Sequence, residues 1–219
     1  MPQQSTLKFL EKLAKNNNKA WFDEHRDEYA QAKEDFEEVV TSLINEMTVL
    51  EPMMRDQKPK DIVFRIFRDV RFSKDKTPYK AHFGAYFSKG GRKYEGAGYY
   101  LHLEPGGKSF AGGGLWLPEP KLLKAVRQEI DYNYPEFKNI LGEKSFKKLY
   151  KNLSGEQLKT LPQGYSADNP AIEFLKMKSF TAGHNFDDKQ ITSSNFIKKC
   201  MEAFTALQPL VDFLNRAID

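Results

Sequence analysis

Apolar residues recur at three- and four-residue steps near both ends of this chain and crowd into short runs in its middle. From Ser5 to Asn16, Leu7, Leu10 and Leu13 or Ala14 form one stripe, and Ser5 or Thr6 stands where a helix cap belongs. NNNK breaks that pattern. A longer helical period runs from about Lys19 to Met47 through Trp21, Phe22, Tyr29, Phe36, Val39, Val40, Leu43 and Ile44, with acids and bases interleaved on the wet face. After a linker, EPMMRDQKPK, the pattern changes. IVFRIFR, AHFGAYF, GYYLHLE and KSFAGGGLW are rich in aromatic and β-branched residues and predict strands. The connections SKGGRKYEG and EPGGKS suit antiparallel neighbours. Gly112 to Gly114 weaken strand propensity and point to a bulge or to close approach by another segment.

Helical spacing returns after Pro118 and Pro120, with Leu122, Leu123, Val126 and Ile130 on one face. A mixed region follows. Asn169-Pro170 fits an N-cap with proline at N1, and a last helix is expected within 192–217, distorted at Pro209. The order predicts an α+β fold, a central, largely antiparallel sheet packed by N-terminal and C-terminal helices. No repeat or low-complexity tail interrupts it, so residues 1–219 are read as a single domain.

Composition fits an ordinary globular chain, with 40% hydrophobic and 29% charged residues. The net charge of +4 hides an uneven distribution: residues 58–93 carry eleven Lys and Arg against three Asp. Such a local field suits an anionic small molecule or nucleic acid. Cys200 stands alone, which excludes an intrachain disulfide, and its helical context predicts a packing role. The N-terminus has no apolar signal-like run and no stretch is long enough to span a bilayer. The expectation is a cytoplasmic chain with no membrane partner. Protein partners and cofactors are left unknown.

Four segments in order carry a resemblance: NNNKAWFDEHRDEY, FRIFRDVRFSKDKTPYKAHFGAYF, GYYLHLEPGGKSFAGGGLWLPEP and LPQGYSADNPAIEFLKMK. Together they resemble DUF2461, a domain of unknown function in bacterial and fungal proteins. The resemblance implies one DUF2461-like domain over nearly the whole chain and no catalytic assignment. Its signature falls on Arg65, Arg68, Asp69, Arg71, Phe72, Lys74, Asp75, Lys76, Pro78, Tyr79 and Lys80.

Two readings fit that signature. Arg65, Arg68, Arg71, Lys74, Lys76, Tyr79 and Lys80 can form a ligand-binding surface, since guanidinium forks match carboxylate and phosphate. Alternatively, Asp69 and Asp75 pair with the bases and order the loop, and a paired charge needs no function. His102 and Glu104 share a strand face by their two-residue spacing and form a candidate polar pocket, with Trp116 as a stacking surface beside the glycines. For Trp116 the favoured alternative is a place in the core. As metal ligands the pair lacks a third member, for which His82 and Glu119 are the candidates. No metal site is assigned. His184, near Asp187 and Asp188, is weak as a loop site, and His25 between Trp21 and Tyr29 reads as a structural histidine.

GxxxxGK[ST], GxSxG and HExxH motifs, zinc-finger spacing and an RRM signature are all absent. The leading expectation is therefore binding of a phosphorylated or other anionic ligand through the basic aromatic motif. An enzyme built on His102 and Glu104 is the first alternative. A protein-interaction or nucleic-acid-binding module is the second, with Phe72, Tyr79, Tyr94 or Tyr99 stacking on bases.

Overall fold

Three helices open the chain in the computed structural model, which describes residues 1–218: α1 (Gln4–Lys15), α2 (Lys19–Glu24) and α3 (Arg26–Met47). The apolar stripe of α1 is fully inside, with Leu7, Leu10 and Leu13 at most 2% exposed. Its cap comes from elsewhere. Asp35 of α3 accepts from the Gln3 backbone N–H at 2.8 Å and from the Thr6 hydroxyl. A carboxylate at a helix start satisfies an orphan donor and complements the dipole. The expected long helix over 19–47 is two helices. Asn18 caps α2 through a 3.0 Å bond from the Trp21 N–H, and His25 leaves helical geometry at φ −113°, ψ 26°.

A short helix, α4 (Pro59–Ile62), leads into IVFRIFR, which is not a strand as expected. Two isolated antiparallel bridges, Val63 to Ala85 and Phe67 to Tyr79, hold it. Strands β1 (Phe83–Phe87), β2 (Gly98–Leu103) and β3 (Ser109–Leu115) fall in three of the predicted runs. The fourth strand, β4 (Phe180–Phe186), is FTAGHNF, which reads as a loop in sequence. The sheet is open and antiparallel, in the order β1-β2-β3-β4. Between β3 and β4 lie α5 (Pro120–Tyr132), α6 (Tyr134–Gly142), α7 (Lys144–Leu149) and α8 (Ile172–Leu175). Asn169 caps the turn before α8 by accepting from the Ala171 N–H at 2.8 Å. The chain ends with α9 (Asp188–Ile191) and α10 (Phe196–Arg216), which carries Pro209 inside. Half of the residues are helical, with helices at both termini, and the fold is α+β.

The chain divides into two compact units. The first comprises Met1–Arg92, Tyr100–Ala111 and Asn185–Met201. Its core stacks Phe22 on Tyr79 at 4.0 Å and Phe36 on Phe83 at 5.2 Å. The second comprises Lys93–Tyr99, Gly112–His184 and the chain from Glu202. Its core sets Tyr99 against Phe204 and Phe137 against both Phe174 and Phe213. Cys200 is buried, and burial raises its thiol pKa, as a packing role requires. No helix among the described residues is long and apolar enough to cross a membrane.

The glycines of β3 serve close approach. A side chain at Gly112 would meet the Ala182 carbonyl and lie 2.8 Å from the Gly183 Cα. At Gly114, with φ +110°, it would meet the Phe180 carbonyl and lie 3.0 Å from the Thr181 Cα. Only hydrogen fits between these backbones. Gly114→Ala is expected to cost on the order of 2–4 kcal/mol, combining φ strain with a clash. Gly107→Ala, at φ +71° with nothing within 4 Å, loses about 1 kcal/mol. Urea unfolding of both variants checks the difference.

Candidate functional site

The signature run is held by its own charges. Arg68 pairs with Asp75 and also donates to the Thr77 hydroxyl at 2.9 Å. Asp75 accepts from the Thr77 N–H at 2.9 Å, which closes a tight Asx turn before Pro78. Arg71 grips Asp69 with two bonds, at 2.6 and 3.0 Å. These partners hold Asp69 below the usual carboxylate range, the Arg71 hydrogen bond being the largest cause. Lys76 donates to the Val70 carbonyl at 2.9 Å and Lys80 to the Arg65 carbonyl at 3.1 Å. Of the basic candidates, only Arg65 and Lys74 make no side-chain hydrogen bond or ion pair among the described residues.

The aromatic candidates divide by burial. Tyr79 is 4% exposed, stacks on Phe22, and its backbone carbonyl and N–H bond the Asn17 side-chain amide. Tyr99 is 1% exposed. Neither ring offers a face to a base. Phe72 is 95% exposed, with the Arg71 guanidinium 5.8 Å from its ring centre. Trp116 is 70% exposed rather than in the core, and it belongs to the second unit. Tyr94, also in that unit, donates to Asn215 at 3.3 Å.

Within the first unit, Arg65 lines a cavity of about 240 Å³. Its walls come from Tyr29, Lys33 and Glu37 of α3, Lys60 of α4, Val63 and Phe64 of the bridged segment, Phe83 of β1, and Arg92. Lys33 is paired with Glu37 at 2.7 Å. Arg92 donates to the backbone carbonyls of Lys60, at 2.8 Å, and Val63. Carbonyls satisfy its donors without cancelling its charge. The lining therefore holds three cations, Lys60, Arg65 and Arg92, with no carboxylate partner among the described residues. Sequence reasoning missed Lys60 and Arg92 because they lie outside the signature, although both fall in the basic stretch.

A second cluster forms across β1 and β2. The pleat sends Tyr99, Leu101 and Leu103 to the buried face and Tyr100, His102 and Glu104 to the other. The His102 ring lies 4.3 Å from the His82 ring, and the Tyr100 phenol lies over Gly84. Two residues forward on one strand match two back on its neighbour, as antiparallel register demands. Phe110 of β3 stacks on His102 at 5.0 Å and fixes its plane. His102 Nε2 sits 2.9 Å from Glu104 Oε2, and Lys108 donates to Glu104 Oε1 at 2.9 Å. Burial opposes ionisation of Glu104, but these hydrogen bonds outweigh it and keep its pKa below the ordinary value. Burial, then the neighbouring His102, Lys80 and Arg68, depress the His82 pKa to about 4 against the pull of Glu104. Burial lifts the Tyr100 phenol to about 12, so it stays protonated.

The cluster can exchange protons or hold an ion. Among the described residues, His82, His102 and Glu104 are the one group of potential metal ligands whose donor atoms all lie within 4.8 Å of one another. Glu119 is exposed in the second unit. The other histidines are structural: His25 stacks on Trp21 and bonds its carbonyl at 2.8 Å, and His184, on a strand, bonds the Leu149 carbonyl at 3.1 Å. Asp188 accepts from the Gly106 and Gly107 backbone and so serves the β2–β3 turn.

These features define an α+β protein whose first unit carries a small cationic cavity and a histidine–glutamate cluster. No curated protein and no solved structure matches the chain. The family model described as conserved hypothetical protein (DUF2461) matches residues 5–213, and the chain belongs to that family.

Protonation of His82 costs folding stability. Its folded pKa of about 4 lies below the ordinary histidine value of 6.5. The unfolded chain therefore binds the extra proton first as pH falls, and stability is lost between those values. With a chelator present, the wild type is expected to lose on the order of 1–2 kcal/mol more than His82→Gln over that range, after allowance for partial exposure. Urea titrations of both chains at several pH values check the sign.

Proposed function

We propose that the protein binds a small anionic ligand, phosphorylated or carboxylated, in the cavity lined by Lys60, Arg65 and Arg92. The observation that carries this reading is three cations without carboxylate partners around one concavity. A cation left uncompensated at a cavity wall attracts an anion more strongly than one already paired. The rings of Tyr29, Phe64 and Phe83 add apolar wall, which suits a ligand carrying a planar group beside its charge. A volume of about 240 Å³ falls below the usual range of roughly 300–1,000 Å³ for drug-sized ligands. That favours a mononucleotide-sized or smaller molecule over a polymer.

The anion therefore meets the edge of the basic stretch rather than its centre. Arg68 and Arg71 act as scaffold, and Tyr79 is a core residue stacked on Phe22. A second reading, an enzyme centred on His102 and Glu104, is favoured by the placement of His82 beside them.

Calorimetric titration with nucleoside monophosphates and with inorganic phosphate, over a salt series, tests the binding reading. Arg65→Ala and Lys60→Ala are each expected to weaken binding about tenfold, a loss of about 1.4 kcal/mol. Arg71→Ala leaves it unchanged. Absence of binding at low salt, or equal loss in the Arg71 variant, would sink the proposal.

A further inference from the structure

We infer that His82, His102 and Glu104 form a binding site for one divalent transition-metal ion. This goes beyond the anion cavity and shares no residue with it. The donors converge on one point: Glu104 Oε2 is 2.9 Å from His102 Nε2 and 3.9 Å from His82 Nδ1. A tetrahedral ion with bonds of roughly 2.0–2.2 Å needs donor separations of about 3.3 Å. The two separations to Glu104 bracket that value, and all three donor atoms lie within 4.8 Å of one another, so side-chain rotations can bring them onto one ion.

Four further features fit a ligand set better than a lone hydrogen-bonded pair. His82 is a partly exposed imidazole with no hydrogen bond among the described residues, so its ring nitrogens are available to an ion. Lys108 occupies Glu104 Oε1 and leaves Oε2 turned toward the histidines. Tyr100 Oη lies 3.5 Å from His102 Nδ1. When Nε2 binds the ion, its proton moves to Nδ1, where the phenol oxygen accepts it. Such outer partners orient ligating histidines. Ring stacking on Phe110 holds the same imidazole from the side.

Donor chemistry selects the ion. Two imidazoles and one carboxylate suit zinc, iron(II) or cobalt(II), and are too soft for magnesium or calcium. Three protein ligands leave at least one position open, the pattern of reactive rather than structural centres. Lys80 and Arg68 act electrostatically on His82 and oppose a cation, which predicts moderate affinity. The same charges favour an anionic fourth ligand.

The test uses the full chain after chelator treatment, in buffer without phosphate. Titration with zinc or cobalt is expected to show one ion per chain and to raise the melting temperature. His82→Ala, His102→Ala and Glu104→Gln should each weaken binding at least tenfold, while His25→Ala leaves it unchanged. Imidazole resonances of the wild-type chain provide a readout that survives misfolding of any variant. Of its four histidines, His82 and His102 should shift with zinc, and His25 and His184 should not. No binding, binding retained in all three variants, or shifts confined to His25 and His184 would overturn the site. Loss of anion binding in the cavity would leave this result untouched.

Discussion

The pleat of β2 sets most of the first unit's chemistry. Tyr99, Leu101 and Leu103 are each at most 1% exposed, and burying them decides the register of the strand. Once that face is committed, Tyr100, His102 and Glu104 must share the opposite one. A one-residue slip would put an imidazole and a carboxylate into the core, where desolvation is costly. Hydrophobic register therefore positions the polar cluster, and β1 only has to pair correctly to bring His82 alongside.

The basic stretch shows why charge density is a poor guide to a binding surface. The cations at its centre are tied up locally. Arg68 and Arg71 are held by Asp75 and Asp69, and Lys76 and Lys80 by backbone carbonyls. Exposed pairs of this kind add little stability, about 0–1 kcal/mol each. Their effect is conformational, because they shape an irregular segment that has only two β-bridges. What distinguishes Lys60, Arg65 and Arg92 is that they line one cavity together while having no carboxylate partner among the described residues.

Much of the fold was legible because it depends on local period. The stripe of α1, the alternation of β2 and the helical spacing of α5 and α10 each follow from apolar positions a few residues apart. The failures arise where tertiary contacts override local pattern. IVFRIFR has strand propensity, yet alternation of charge and apolar residues on both faces left it no sheet to join beyond single bridges. FTAGHNF carries glycine and polar residues that read as loop, but the glycines of β3 admit its backbone. At the sites, the His102–Glu104 pair was visible from its spacing. The cavity was not, because it joins α3, α4 and β1 through residues with no shared motif.

Gly84 links register to site geometry. A side chain there would collide with the Tyr100 hydroxyl and lie 3.1 Å from its Cζ. Glycine therefore lets the phenol lie flat across β1, where burial keeps it protonated. From that position it reaches the edge of His102, whose far nitrogen faces Glu104. A larger residue at position 84 would displace the phenol from His102 Nδ1, leaving the imidazole held by Phe110 and Glu104. His82, two residues away on the same face, packs against that imidazole at 4.3 Å. The missing side chain of one glycine thus sets the phenol contact on His102, beside the ring of Phe110 and the carboxylate of Glu104.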